Sequence, residues 1–167
     1  MMRDAKSVTR GVKGVRSEVK DATNAIDAKP KKRVLFLCTG NSCRSQMAEG
    51  LLRHLAGDHF EVVSAGTHPV GLNADAVEVM KEIDINISGH RSKRVDEFLG
   101  QQFDYAMTVC DPAKETCPIF PSAAALLHWS FDDPAVVEGP REERRAVFHR
   151  VRDEIADRIK SFVDERQ

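Results

Sequence analysis

The chain has 167 residues, of which 41% are hydrophobic and 31% are charged. This balance supports one hydrophobic core under a charged surface. It excludes a disordered chain, a fibrous repeat and a membrane-spanning protein, because no apolar run exceeds the length of a strand. The formal net charge is −1, but residues 1–33 hold ten basic and four acidic side chains, so a basic segment precedes an acidic body. No N-terminal stretch resembles the apolar region of a secretory signal, and we therefore expect a cytoplasmic protein.

Residues 1–31 are predicted to form a basic N-terminal arm, either flexible or an amphipathic helix, ahead of a folded domain at residues 32–167. Small apolar side chains recur in the arm at heptad spacing, at Val8, Val12, Val15, Val19, Ala22 and Ile26. A helix of this kind could contact a membrane surface or a partner helix. Gly11 and Gly14 each weaken such a helix by about 1 kcal/mol, which favours a solvated tail without these contacts.

Strand-like and helix-like segments alternate from residue 34 onward. Strands are predicted at residues 34–37, 60–64, 103–109 and 123–127. Helices are predicted at residues 46–56, where Ser45 is placed to act as the N-cap, and at 74–83, 92–99 and 141–163. The alternation predicts an α/β domain in three layers, with a flavodoxin-like, four-stranded parallel sheet and helices on both faces.

Small and polar residues fill the loop between the first strand and the first helix, at residues 38–45. Such a loop binds anions, because backbone N–H groups and the positive end of a helix dipole converge there. The predicted oxyanion-binding residues are Thr39, Gly40, Asn41, Ser42, Cys43, Arg44 and Ser45. The same field should lower the pKa of Cys38 and make it a nucleophilic thiolate supported by Ser45. In the alternative interpretation, Cys38 is a buried thiol at the end of a strand and Arg44 is solvated.

An acid and a second pair of thiols complete the candidate chemistry. Asp133, held by the turn that Pro134 imposes, is the candidate general acid. Cys110 ends a predicted parallel strand and should emerge at the same sheet edge as Cys38. Six residues separate Cys110 from Cys117, and a disulfide between them would suit a relay that starts at Cys38.

Two other interpretations of the four cysteines stay open, namely a zinc site and unconnected core thiols. Structural zinc sites usually have about two to four residues between paired cysteines, which fits the four residues between Cys38 and Cys43 but not the six between Cys110 and Cys117. A loop lined with N–H groups also has the wrong electrostatics for a cation. We therefore expect no bound metal.

Four motifs together resemble those of the thioredoxin-coupled arsenate reductases, which share the fold of the low-molecular-weight protein tyrosine phosphatases. They are CTGNSCRSQMAE at residues 38–49, SAG at 64–66, VCDPAKETCP at 109–118 and HWSFDDPA at 128–135. The resemblance covers about four-fifths of the chain, with the motifs in the order of the family. It does not extend to the N-terminal arm.

The resemblance implies a mechanism for each candidate residue. Cys38 attacks arsenate held by Arg44 and the loop N–H groups, while Asp133 protonates the departing oxygen. Cys110 then attacks the arsenic adduct of Cys38 and releases arsenite, and Cys117 moves the disulfide to the pair formed by Cys110 and Cys117. Thioredoxin is the implied external reductant and glutaredoxin the alternative donor, with no bound cofactor and no nucleic-acid partner.

Some members of the family bind potassium beside the loop. The corresponding positions here are Asn41, Glu49, Ser64, Arg91 and Lys93. Because the last two are cationic, we expect no potassium site and expect Arg91 or Lys93 to neutralise Glu49 instead. Two other functions stay open, namely a phosphatase that forms a phosphocysteine at Cys38 and a non-catalytic module that binds oxyanions.

Overall fold

The computed structural model describes residues 29–111 and 120–166. The strands are β1 (Lys32–Cys38), β2 (Phe60–Gly66), β3 (Phe103–Thr108) and β4 (Ala123–His128). The α-helices are α1 (Arg44–Ala56), α2 (Ala74–Lys81) and α3 (Arg141–Arg166), and short 3-10 helices lie at Val95–Phe98 and Pro134–Val136. Residues 1–28 lie outside the described ranges, so the basic arm and its boundary with the domain stay predictions.

All four strands are parallel and lie in the order β2-β1-β3-β4, which confirms the predicted sheet. In the centre, Val34 of β1 pairs with Val62 of β2 on one side and with Tyr105 of β3 on the other. The chain leaves β1 toward β2 and later returns to β3 on the opposite side. The loop after β1 therefore lies where the strand order reverses, the position at which open α/β sheets bind ligands.

One face of the sheet packs against helices and carries the larger hydrophobic core. Side chains of β1, α1 and α3 meet there, including those of Phe36, Met47, Phe148, Ile155 and Ile159. The burial of apolar side chains along α3 follows the helical period, which is why residues 141–163 were predictable as a helix. None of the helices described is long and apolar enough to cross a membrane.

The opposite face packs against a smaller cluster. It contains Leu35, Leu37, Phe103 and Phe120, with the rings of Phe103 and Phe120 packed edge to face, and Phe98 of the 3-10 helix packs against it. The segment predicted as a helix at residues 92–99 contains only a 3-10 helix of four residues, Val95–Phe98. Among the described residues, the helical element that covers this face of the sheet is this short turn and not an α-helix.

Candidate active site

The loop of residues 38–45, which we call the oxyanion loop, connects the end of β1 to the start of α1. Helix α1 begins at Arg44, and the side chain of its N-cap residue, Cys43, makes no capping hydrogen bond. The prediction that Ser45 caps the helix is therefore wrong. Ser45 lies inside the first turn, which holds no acidic residue. Since no carboxylate opposes it there, the helix dipole is available to an anion in the loop.

Cys38 lies on the floor of this loop and is 2% exposed. Its Sγ is 2.8 Å from Ser45 Oγ and accepts a hydrogen bond of 3.1 Å from the backbone N–H of Asn41. Burial raises the pKa of the Cys38 thiol, while the hydrogen bond from Ser45 and the charge of Arg44 act in the opposite direction. The expected lowering of the Cys38 pKa is therefore wrong, because burial outweighs these opposing effects.

Asn41 organises the loop through its side chain, a role that sequence reasoning missed. Its φ of 47° lies in the left-handed region that few non-glycine residues adopt. The side-chain amide Nδ2 donates to Ser45 Oγ at 2.8 Å and to Ser64 Oγ at 2.9 Å. Oδ1 accepts from Gln46 Nε2 at 3.0 Å and from the backbone N–H of Lys93 at 2.8 Å. The loop shape is thus fixed by two helix residues, one strand residue and one distant loop residue.

Gly66 at the end of β2 is required by the close approach of the oxyanion loop. A Cβ atom at this position would lie 2.4 Å from the carbonyl oxygen of Thr39 and 2.9 Å from the backbone nitrogen of Asn41. Both neighbours are backbone atoms, so neither can rotate away. This contact explains why a glycine stands in the motif at residues 64–66.

A cavity of about 230 Å³ opens above Cys38, with Arg44 and Asp133 at its border. It is lined by Cys38, Thr39, Gly40, Ser42, Cys43, Arg44, Val70, Asp133 and Ala135. Arg44 Nη1 donates to the carbonyl oxygen of Phe131 at 3.1 Å, and its Nη2 lies 3.5 Å from Asp133 Oδ2. The structure therefore brings the predicted nucleophile, guanidinium and acid to one cavity. Val70 and Ala135 were not predicted, since neither carries a chemical signal.

Asp133 and its neighbour Asp132 face different partners. Asp133 Oδ1 accepts a hydrogen bond of 3.0 Å from the backbone N–H of Ala135, which fixes the carboxylate beside the cavity. Asp132 Oδ2 instead lies 2.9 Å from Arg150 Nη2 on α3. Of these two carboxylates, Asp133 is the one placed to exchange a proton with a molecule bound over Cys38.

Cys110 follows β3 by two residues at the same edge of the sheet as Cys38. The backbone N–H of Val109 donates to the carbonyl oxygen of Leu37 at 2.9 Å, which keeps the two strand ends side by side. Cys110 is buried and disulfide-bonded, whereas Cys38 and Cys43 are free thiols. Cys117 lies outside the described residues. Within residues 29–111 and 120–166, no group of three or more His, Cys, Asp or Glu could hold a metal.

A buried carboxylate lies under the loop. Glu49 of α1 is 3% exposed, and its oxygens lie 3.0 Å from His90 Nδ1, 3.4 Å from Arg53 Nη1 and 3.7 Å from Lys93 Nζ. Burial acts to raise the pKa of Glu49, but the hydrogen bond to His90 and the charges of Lys93, His90 and Arg53 lower it below its usual value. Glu49 is therefore a carboxylate neutralised by side chains of this chain.

The positions that correspond to potassium ligands do not fit a potassium ion. Both Asn41 Oδ1 and Ser64 Oγ already accept hydrogen bonds. Lys93 places an ammonium group at Glu49 where a ligand oxygen would be needed. Arg91 turns instead to Glu97, with its Nη2 2.6 Å from Oε1. Of the two cations expected to neutralise Glu49, Lys93 does so and Arg91 does not.

Comparison with known proteins places this site in a family. The family model for low molecular weight phosphotyrosine protein phosphatase matches residues 33–167. An arsenate reductase of Halalkalibacterium halodurans is 52% identical over 134 residues, which cover 80% of this chain and 96% of that protein.

Two solved structures extend the comparison. A thioredoxin-dependent arsenate reductase of Corynebacterium glutamicum superposes with a TM-score of 0.62 at 28% identity and covers 93% of this chain and 71% of that one. A low molecular weight protein tyrosine phosphatase from T. tengcongensis gives a TM-score of 0.62 at 27% identity over 81% of this chain and 99% of that one. The chain therefore belongs to the low molecular weight phosphotyrosine protein phosphatase family and, within it, groups with the arsenate reductases.

Proposed function

We propose that this chain is an enzyme that reduces arsenate to arsenite with Cys38, Cys110 and Cys117, and that thioredoxin restores the thiols. The observation that carries the proposal is the juxtaposition at one sheet edge of an oxyanion loop around Cys38 with the strand end that leads into Cys110. A phosphatase needs the first feature but not the second. The names of the relatives at about half identity support the same reaction.

The first step is a substitution at arsenic. The loop N–H groups and the Arg44 guanidinium hold arsenate, since a bidentate cation and converging donors match a tetrahedral oxyanion. The sulfur of Cys38 forms a bond to arsenic and one arsenic–oxygen bond breaks. The departing oxygen leaves as water with a proton from Asp133. As the sulfur bonds to arsenic, the proton of the Cys38 thiol passes to an oxygen of the bound arsenate, so loss of this proton is coupled to the attack.

The second step is the reduction. The thiolate of Cys110 attacks the sulfur of Cys38, and the electron pair of the sulfur–arsenic bond stays on arsenic, which leaves as arsenite. Cys117 then attacks the sulfur of Cys110, so that Cys38 is freed and the disulfide joins Cys110 to Cys117. A dithiol of thioredoxin accepts the oxidising equivalents by a further exchange. Two thiols are oxidised for each arsenate reduced, and the electrons balance.

Burial gives the relay a physical purpose. Cys38 and Cys110 are 2% and 0% exposed, so a partner protein cannot reach a disulfide between them directly. A third thiol that carries the disulfide outward removes this obstacle. Because the thiols supply all the electrons, the proposal requires no bound cofactor, and it requires a reducing compartment such as the cytoplasm.

The test is arsenate-dependent oxidation of NADPH in the presence of thioredoxin and its reductase. We expect steady turnover by the wild type and none by C110S or C117S. Hydrolysis of an aryl phosphate is the matched control, because that reaction needs the oxyanion loop but neither relay thiol. Unchanged arsenate turnover in both variants would overturn the relay.

Two further arms of the assay separate the other candidates. Replacing thioredoxin by a glutaredoxin system identifies the donor, since only the partner that docks near the relay supports turnover. A wild type that hydrolyses aryl phosphate but never reduces arsenate would be a phosphatase. A wild type that catalyses neither reaction, yet binds arsenate, would be an oxyanion-binding module.

A further inference from the structure

We propose that Lys93 is a positioning residue of the oxyanion loop, a built-in counter-ion of Glu49 that makes anion binding independent of dissolved potassium. The proposal rests only on the anion-binding part of the proposed function, not on the reduction of arsenate. The ammonium group of Lys93 already supplies the positive charge beside Glu49, so the residues there do not fit a potassium ion. The proposal follows from this mismatch.

Lys93 joins three elements that border the site. Its backbone N–H donates to Asn41 Oδ1 at 2.8 Å, and its carbonyl oxygen accepts from the backbone N–H of Gly66 at 2.8 Å. Its ammonium group lies 3.7 Å from Glu49 of α1 and donates to the carbonyl oxygen of Arg91 at 3.0 Å. The ion pair therefore holds the segment that in turn holds the side chain of Asn41.

The burial of this ion pair makes the constraint strong. The side chains of Lys93 and Glu49 are 12% and 4% exposed, whereas that of Arg53, a second permanent cation near Glu49, is 48% exposed. Coulomb interactions strengthen as water is excluded, and an unpaired buried carboxylate is costly. Lys93 is thus the fixed charge that Glu49 depends on most.

Asn41 transmits this constraint to the anion-binding groups. Its left-handed backbone conformation must be imposed by its neighbours, and the bond from the Lys93 N–H to Oδ1 is one of the contacts that impose it. The other end of the same amide bonds to Ser45 Oγ, and the Asn41 N–H bonds to Cys38 Sγ. A shift of residue 93 therefore moves both the loop donors and the surroundings of the nucleophile.

The experiment compares K93M with R91M. Arg91 lies two residues away and pairs with Glu97 at the surface, so R91M removes a cation of the same segment without touching Glu49. Inorganic phosphate is titrated calorimetrically into each protein in chlorides of sodium, potassium and choline at equal ionic strength. We expect the wild type and R91M to bind phosphate equally in all three salts, and K93M to bind it about tenfold more weakly.

Kinetics separate positioning from general damage. The KM of K93M for arsenate should rise about tenfold while kcat changes less than about threefold, because the substitution removes no group that forms or breaks a bond in the reaction. K93R should retain most of the affinity, since it keeps the charge. Wild-type affinity in K93M, or a wild type that binds phosphate more tightly in potassium than in sodium, would overturn the proposal.

A double variant addresses the case in which K93M fails to fold. E49Q/K93M removes the buried carboxylate together with its counter-ion, so the protein should still fold although it lacks the ion pair that holds residue 93. We expect weak phosphate binding by this folded protein. Phosphate binding as tight as that of the wild type would show that the ion pair between Lys93 and Glu49 is unnecessary and would contradict the proposal. A protein that binds phosphate as expected but never reduces arsenate would refute only the proposed function.

Discussion

Cys38 and Cys43 lie five residues apart in the same loop and are equally buried, at 2% exposure each, yet their surroundings differ. Cys38 Sγ has Ser45 Oγ at 2.8 Å and the N–H of Asn41 at 3.1 Å. Cys43 Sγ has instead a longer contact of 3.4 Å with Ser42 Oγ. Burial raises the pKa of Cys43 to about 12, and the negative charge of Asp133 contributes. The comparison teaches that two equally buried thiols of one loop differ in the donors around them, and the proposed mechanism assigns the attack to the thiol with more donors.

The largest expected effect is the loss of turnover when Cys38 is replaced by serine, compared with the same replacement of Cys43. C38S should lose arsenate turnover by at least about 10³-fold, because the attacking atom is gone. C43S should keep turnover within about tenfold of the wild type, since the proposed mechanism gives Cys43 no bond to form. The NADPH-coupled assay measures both variants, and binding of phosphate by C38S shows that its loop is intact. Loss of turnover in C43S equal to that in C38S would show that turnover depends on both thiols and would contradict this prediction.

A second, smaller effect is expected from Asp133, the carboxylate that lines the cavity together with both thiols. D133N should lower turnover about 10²-fold, because the departing oxygen loses its proton donor. It should also lower the pKa of Cys43, since the charge of Asp133 helps to raise it. The rate of alkylation of Cys43 at a fixed alkaline pH, followed by mass spectrometry, measures this second change.

D132N is the matched control for D133N, because Asp132 pairs with Arg150 on α3 rather than with Arg44. This control should keep turnover within about threefold of the wild type, as expected for an exposed ion pair. Equal losses in D132N and D133N would indicate that the turn as a whole, rather than one carboxylate, is needed.

The smallest expected effect is on the nucleophile itself. The hydrogen bond from Ser45 lowers the pKa of Cys38, so S45A should raise that pKa further. Alkylation of Cys38 near neutral pH should then slow about tenfold, as expected for the loss of one hydrogen bond to a thiolate. S42A removes the contact of Cys43 instead and should leave the alkylation of Cys38 unchanged. Faster alkylation of Cys38 in S45A would show that Ser45 does not lower the pKa of Cys38.

The sheet was predictable because its strands are short apolar runs separated by helical patterns. Residues 34–37 of β1 are apolar in sequence and fully buried in the structure, as a central parallel strand must be. The oxyanion loop was predictable because its position between strand and helix is local information. Lys93 lies 44 positions beyond Glu49 in the chain, and only the resemblance indicated that the two side chains belong to one site.

Two local predictions failed for a shared reason. Ser45 has the residue type of an N-cap, but the helix begins at Arg44, two residues before the predicted start, and the Ser45 hydroxyl turns to Cys38. The pKa of Cys38 was expected to fall, because the donors are visible in the sequence and the degree of burial is not. Both outcomes depend on how closely β1, α1 and the loop pack together. That packing is a tertiary property which no short motif encodes.

The left-handed Asn41 also links the binding site to the order in which the chain assembles. Its side chain has partners on α1, on β2 and in the segment at Lys93, which are far apart in sequence. The loop therefore cannot acquire its binding shape until these elements have docked. Partly folded chains should have little affinity for oxyanions, so arsenate or phosphate would stabilise only the native state and would slow unfolding rather than speed folding.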